Sequence, residues 1–350
     1  MRKSNGPLYM VTWRCTRACN HNCSYCSFAS SPNVSGAIST EGGMRIVDEI
    51  YDFGASWFGI SGGEPLLRED LFDIIGHARE IGLNVSLITN GHFVKDELFD
   101  NLIRNEVHTA ISVDGTEETN DILRGKASYA RAVSAMEKLS KERMLDCFVT
   151  TLTTVNYKDV GHVAELAEKY GARMAVFHNY IPVGRAKEHL ELAPSPEQYE
   201  WVWNELYDLK QKYKGKPDIN VYCPFFARVA KERRMPDFDD WFENVFLGRC
   251  FFAGRYMGII ENGDVRRCGF NEGYTLGNIR ERTLKEFWSE LQESKFSIKL
   301  RDRDNLKGKC GVCEYREICG GCRTRAEIYT GDIFESDPAC AYTPKILRET

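Results

Sequence analysis

No apolar stretch of this 350-residue chain approaches the roughly 20 residues that cross a bilayer. The opening MRKSNGPLYMVTW has no apolar run of the kind that marks a secretory signal. Positive charge is not in excess: 46 Lys and Arg face 51 Asp and Glu, a net charge of -5. That removes the basic footprint of a nucleic-acid binder, and the short run Lys231, Arg233, Arg234 reads as a solvated helix face. Internal repeats and low-complexity tracts are also missing. Together these absences predict a cytoplasmic chain with no membrane span and no nucleic-acid partner. The length allows one large α/β domain and a smaller one, and 43% apolar residues are enough to build a core.

Cysteine is what the chain has in quantity. Thirteen cysteines in a reducing compartment are not a disulfide framework; clustered thiols there indicate metal or redox chemistry. Four fall within CTRACNHNCSYC (15–26), and seven lie beyond residue 249.

From residue 8 to about 181, short apolar runs alternate with amphipathic stretches. LYMVTW (8–13), SWFGIS (56–61), VSLIT (85–89), VHTAISV (107–113), CFVTTLT (147–153) and MAVFHNYI (174–181) read as strands. Helices fall at 38–53, with Ser39 or Thr40 as N-cap, at 67–82, closed by Gly82, and at about 95–105, 128–143 and 157–170. The alternation predicts right-handed βαβ units around a parallel sheet, doubly wound or a partial barrel, with its active site at the carboxyl ends of the strands. After VGR (183–185) the pattern changes. Residues 193–215 read as one amphipathic helix starting near Ser195, 216–248 as irregular, and the remainder as short strands and turns. Boundaries near 190 and 245 divide the chain into a core (1–190), a helical or irregular bridge (191–245) and a C-terminal module (246–350).

The first strand feeds directly into CTRACNHNCSYC. Cys19, Cys23 and Cys26 form C-x3-C-x2-C; a frame started at Cys15 puts Asn22 in third place, so one register works. Three thiolates can hold a [4Fe–4S] cube and leave one iron without a protein ligand, and an open position marks a reactive metal. On spacing alone, a zinc knuckle recruiting Cys15 or His21 is the alternative. C-x3-C-x2-C after a first strand resembles the radical S-adenosylmethionine (radical SAM) superfamily. The resemblance implies a partial (β/α)6 barrel whose open iron chelates the methionine end of S-adenosylmethionine. There a reduced cluster breaks the sulfonium, and a 5′-deoxyadenosyl radical abstracts substrate hydrogen. It makes Cys19, Cys23 and Cys26 the catalytic cluster ligands and sets Tyr25 near the adenine. SGGEP (61–65) follows the second strand, where the family has a glycine-rich turn. By resemblance, Gly62, Gly63, Glu64 and Pro65 meet the methionine ammonium, which needs acceptors. TNG (89–91) and ISVDG (111–115) end strands three and four, and LRGKASYARAV (123–133) follows. The resemblance gives Ser112 and Arg124 to the methionine carboxylate, a role suited to a guanidinium, and Thr89 and Asn90 to the ribose or sulfonium region. It also implies a low-potential electron donor such as ferredoxin or flavodoxin.

The second set of cysteines is Cys250, Cys268, Cys310, Cys313, Cys319, Cys322 and Cys340, with CGVCEYREICGGC (310–322) at its centre. A zinc ribbon is the generic reading, although seven thiols are awkward for two tetrahedral sites. The arrangement resembles the SPASM extension of radical SAM enzymes, which binds up to two auxiliary [4Fe–4S] clusters. By that pattern Cys310, Cys313, Cys319 and Cys340 hold one cluster, and Cys250, Cys268 and Cys322 the other. The family often has three residues between the third and fourth cysteines of the central run, where this chain has two, which bears on Cys322. Cys223 is the nearest unassigned thiol and a possible fourth ligand, weighed against plain packing; Cys15 and Cys147 read as packing residues.

For substrate, HNYIPVGRAKE (178–188) offers His178, Asn179, Tyr180 and Arg185 as contacts. The 310–340 segment, VGRAKE and CPFFARVAKE (223–232) resemble iron-coproporphyrin decarboxylases of the siroheme-dependent haem pathway. Those turn propionates into vinyl groups and need cationic contacts to carboxylates. NDILRGKASYARAV (120–133) equally resembles maturases of ribosomally made peptides. The first strand begins near residue 8, leaving no room ahead of it for the leader-binding domain those maturases often carry. That weighs toward a tetrapyrrole over a peptide substrate.

Overall fold

The computed structural model describes residues 11–32, 36–246, 248, 250 and 256–348, so residues 8–10 of the first expected strand lie outside the described residues. The alternation read from the sequence is realised in order: β1 (Val11–Arg14), α1 (Thr40–Phe53), β2 (Trp57–Ser61), α2 (Leu71–Glu80), β3 (Asn84–Thr89), α3 (Asp96–Arg104), β4 (His108–Ser112), α4 (Glu117–Arg124), α5 (Ser128–Lys141), β5 (Leu145–Thr151), α6 (Val160–Tyr170) and β6 (Met174–His178). Each strand from β1 to β6 pairs in parallel with the next. Ser39 does cap α1, accepting from the Gly42 amide, and Ile46, Val47 and Ile50 form its buried face. Each such side chain contributes about 1.5–3 kcal/mol of burial. α7 (Pro196–Tyr213) starts behind a capping box in which Ser195 and Gln198 satisfy each other's backbone amides.

The segment read as irregular is not. It supplies β7 (Asp218–Tyr222), parallel to β6, and α8 (Phe225–Glu232). DINVY is five residues between Pro217 and Pro224, too short for a periodic signal. Its pairing with β6, together with bonds from the Lys210 ammonium to Asp218 and to the Ile219 carbonyl, sets it as a strand. Beyond it, β8 (Met257–Ile259) adds in parallel to the free edge of β1, and β9 (Asp264–Arg266) and β10 (Thr275–Asn278) follow antiparallel. The ten-stranded sheet runs β10-β9-β8-β1-β2-β3-β4-β5-β6-β7 and stays open at β10 and β7.

Alternation along β1 decides what faces what. Val11, Trp13 and Cys15 are fully buried in the core between sheet and helices, so Thr12 and Arg14 face the inner side. A separate apolar cluster of Ala110, Cys147 and Val176, with Tyr222 against it, marks that inner side further along the sheet. Among the described residues, no helix is long and apolar enough to cross a membrane.

Candidate active site and metal centres

The loop after β1 is held backbone to backbone by the turn after β2. The Gly63 amide donates to the Thr16 carbonyl (2.7 Å) and the Glu64 amide to the Ala18 carbonyl (2.8 Å). A Cβ on Gly63 would sit 2.2 Å from the Ala18 oxygen, and one on Gly62 2.7 Å from the Thr16 oxygen. The two glycines therefore serve the approach of one loop to the other. Within that loop Cys19, Cys23 and Cys26 feel one another's charge, and burial pushes the Cys19 thiol up to about 12 and that of Cys23 to about 11. Cys15 takes no part. It points into the helix-side core, its amide bonds the Ser61 carbonyl, and its charged neighbours are Arg68, Glu64 and Asp70.

Two buried networks stand beside the loop at the carboxyl ends of the strands. Glu64 is fully buried and its carboxylate is committed within the protein. It accepts from the Thr89 hydroxyl (2.7 Å) and from the amides of Asn90 (2.8 Å) and Leu66 (3.2 Å). Burial lifts its pKa to about 7 against those bonds. Asn90 continues the link to Asn20 in the cysteine loop (2.8 Å). The second network centres on Asp114, which the sequence reading passed over although it lies in ISVDG. Asp114 is fully buried and accepts from the Tyr25 hydroxyl, from Arg124 Nε (2.6 Å) and from the Thr151 amide (2.9 Å). Burial pulls the Arg124 pKa down, but Asp114 outweighs it and the guanidinium is held charged. Among the described residues its Nη1 and Nη2 have no hydrogen-bond partner, so an oriented fork is left for a carboxylate. Ser112 closes β4, two residues before Asp114.

The seven C-terminal thiols sort into two cavities. Cys310, Cys313, Cys319 and Cys340 line one; Cys250, Cys268 and Cys322 line the other, with His178, Asn179 and Tyr222 from the ends of β6 and β7. The shorter spacer before Cys322 is absorbed by two consecutive left-handed glycines, Gly320 (φ +64°) and Gly321 (φ +65°). That turn sends Cys319 to one cavity and Cys322 to the other. Cys223 is fully buried and lines neither cavity; it packs with the core. Between the cavities, Arg325 and Asp337 form a buried bidentate pair, both bonds 2.7 Å.

Of the four residues offered for substrate contact, two have other work. Tyr180 is buried and donates to the Ala186 and His189 carbonyls. Arg185 grips the cysteine loop: its amide bonds the Cys26 carbonyl (2.9 Å), Nη1 the Cys23 carbonyl (2.8 Å) and Nη2 the Ser30 carbonyl (2.6 Å). Arg185→Ala is expected to cost on the order of 2 kcal/mol and to speed iron loss from the first site. Arg185→Lys should recover only part, since one ammonium lacks the guanidinium fork. Melting and iron content of anaerobically prepared protein measure both effects.

Chemistry and placement fit iron–sulfur clusters. Among the described residues no three His, Cys, Asp or Glu side chains converge as on a single metal ion. The C-terminal thiols instead ring cavities, as a multi-iron cube asks of them. The comparisons agree. The chain matches the family model described as "Radical SAM superfamily" over residues 13–169 and that described as "Iron-sulfur cluster-binding domain" (SPASM) over 250–323. It is 32% identical to the AdoMet-dependent heme synthase of Methanosarcina barkeri, over 96% of this chain and 97% of the relative. It is 29% identical to the mycofactocin maturase MftC of Mycobacterium ulcerans, over 94% and 87%. The fold is similar to SuiB of Streptococcus suis bound to S-adenosylmethionine, with a TM-score of 0.74 at 18% identity, covering 96% of this chain and 77% of that one.

Proposed function

This chain belongs to the radical SAM superfamily and carries a SPASM iron–sulfur domain, and from that premise we propose that it decarboxylates propionate side chains of an iron-bearing tetrapyrrole. The observation that carries the substrate is the near-full-length likeness to a heme synthase. As a radical SAM enzyme it uses [4Fe–4S] clusters and S-adenosylmethionine. When bound, they supply an electron to the sulfonium and a 5′-deoxyadenosyl radical to the substrate hydrogen.

The chain's own residues do the rest. Cys19, Cys23 and Cys26 would hold the first cluster. Asp114 fixes Arg124 by its Nε, so Nη1 and Nη2 would clamp the methionine carboxylate, with Ser112 as the second proposed contact. Glu64 shapes the turn by tying Thr89 and Asn90 to it, and the carbonyls of Gly62 and Gly63, ahead of Pro65, would join it as acceptors for the ammonium. Tyr25, held by Asp114, borders the adenine. Loss of CO2 from a substrate radical leaves one electron to be removed. Cys310, Cys313, Cys319 and Cys340, and Cys250, Cys268 and Cys322, would hold one or two auxiliary clusters able to accept it. A ferredoxin or flavodoxin is the proposed donor. The partition into 1–190, 191–245 and 246–350 rests on the same reading, with both family matches inside its outer parts.

The test is anaerobic turnover with dithionite, S-adenosylmethionine and iron-coproporphyrin. Substrate-dependent 5′-deoxyadenosine and loss of CO2 from the porphyrin, seen by mass spectrometry, are expected. An unchanged porphyrin mass with active S-adenosylmethionine cleavage sinks the tetrapyrrole reading. A peptide substrate is the second reading, favoured by the likeness to MftC; it predicts crosslinking or oxidation of a precursor peptide under the same conditions.

A further inference from the structure

Arg14 and Arg266 are buried on the inner side of the sheet with the partly exposed Arg17 near them, outside the contacts assigned to S-adenosylmethionine. Three neighbouring strands place them there. Arg266 of β9 pairs with Gly258 of β8, and Gly258 pairs with Thr12 of β1, so Arg266, Thr12 and Arg14 share the inner face. Gly258 contributes no side chain between them, and a Cβ there would meet the Tyr256 hydroxyl at 2.7 Å.

Among the described residues, Arg14, Arg17 and Arg266 have one buried carboxylate between them. Glu261 takes Arg14 Nε at 2.6 Å and lies 3.7 Å from Arg17 Nε. Arg266 Nη1 is 3.6 Å from Glu272, whose side chain is 78% exposed and so largely screened by solvent. Arg266 itself is 8% exposed, and among the described residues its Nε, like Arg17 Nε, is buried without a hydrogen-bond partner. A buried guanidinium nitrogen without a hydrogen bond is costly unless something fills the place, and the long contacts at 3.7 and 3.6 Å leave both groups free to take a further carboxylate. The place adjoins a ring pair: Arg14 lies over Phe28 at 4.5 Å, and Phe28 stacks on Phe270 with centroids 6.3 Å apart and planes 7° apart. Phe28 is two residues past Cys26, and Phe270 lines the cavity of Cys250, Cys268 and Cys322. The group thus sits between the first cysteine loop and that cavity.

We propose that Arg14, Arg17 and Arg266 form a carboxylate-binding site for the substrate, with the Phe28–Phe270 pair as the apolar wall against which a flat ring rests. The assignment rests on the tetrapyrrole reading and adds to it the residues that anchor a propionate other than the one undergoing reaction. Glu261 bridges Arg14 and Arg17, and the incoming carboxylate supplies the missing negative charge. Guanidinium groups suit this because each can donate two parallel bonds to a carboxylate.

Equilibrium binding tests it without turnover. Anaerobically reconstituted full-length protein is titrated with iron-coproporphyrin and with its tetramethyl ester, following the shift of the porphyrin absorption band. The free acid should bind wild type well and the ester poorly. Arg266→Gln and Arg17→Gln should each weaken acid binding about tenfold or more and leave the weak ester binding unchanged. Arg173→Gln, a surface control paired with Asp146, should change neither. Arg17 is partly exposed, so its variant keeps the test alive if Arg266→Gln does not fold. Acid and ester binding equally well, or a folded Arg17 or Arg266 variant with wild-type affinity for the acid, overturns the site and leaves the tetrapyrrole reading standing. A wild type that binds neither porphyrin overturns both.

Discussion

Cys19→Ala is expected to reduce 5′-deoxyadenosine formation to background, while Cys15→Ala, four residues away in the same dense run, keeps it. The contrast follows from strand alternation. Val11, Trp13 and Cys15 continue one face of β1 into the helix-side core, and only beyond that point does the chain turn into the loop held by Gly63 and Glu64. Both thiols feel Glu64, but Cys15 otherwise feels Arg68 and Asp70, whereas Cys19 feels Cys23 and Cys26. Removing the Cys15 sulfur leaves a small void worth about 1–2 kcal/mol, a loss of stability that leaves the cluster ligands in place. Removing the Cys19 sulfur takes one of three thiolates from a site that has no fourth to spare. Iron content and low-temperature EPR of the reduced protein separate the two: Cys19→Ala should lose the signal that responds to S-adenosylmethionine and retain the C-terminal iron. Retained cleavage in Cys19→Ala, or lost iron in Cys15→Ala, would reverse the assignment.

What was legible in the sequence had local causes. The βα alternation, the cap at Ser39 and the helix start near Ser195 are encoded within a few residues, so 3.6- and 2-residue periods and the cap residues reveal them. The C-x3-C-x2-C register is local too, and the two cysteine sets beyond residue 249 line two separate cavities. β7 escaped because five residues between two prolines carry no period of their own; β6 makes DINVY a strand. The supporting groups escaped for the same reason at longer range. Arg14 meets Glu261 across 247 residues, Arg185 meets the Cys23 carbonyl across 162, and Tyr25 meets Asp114 across 89. An isolated arginine on a loop reads as a surface charge until the fold shows what it touches. Glu64 is a different case. Its position in SGGEP was informative, but a carboxylate can serve a ligand, the protein or both, and only the fold shows the three internal donors it accepts from.

The most destructive substitution outside the cysteines should be Asp337→Ala. Asp337 is fully buried and holds four groups at once: both bonds from Arg325 at 2.7 Å, the Cys322 amide at 2.7 Å and the Ala339 amide at 3.1 Å. Its own carbonyl accepts from the Cys340 amide at 3.3 Å. One residue therefore fixes Cys322, which lines one cavity, and Cys340, which lines the other. Burial raises the cost of charging its carboxyl, but Arg325 outweighs this and holds its pKa below the ordinary carboxylate value. Arg325 in turn lies over Tyr199 and Phe225 at 5.3 and 5.2 Å, with no route to water when its partner goes. Breaking one side of such a pair costs about 3–5 kcal/mol, because the other charge stays buried and uncompensated. Asp337→Asn keeps the shape and one acceptor oxygen, so it should lose less. Arg325→Met combined with Asp337→Leu removes both charges, and it should be more stable than Asp337→Ala. Denaturant unfolding of the three variants orders them. Iron analysis should show the C-terminal sites depleted in Asp337→Ala and the first site kept, with S-adenosylmethionine cleavage persisting while the porphyrin goes unconverted. Full C-terminal iron in a folded Asp337→Ala protein would show that the two cysteine loops hold their places without this pair.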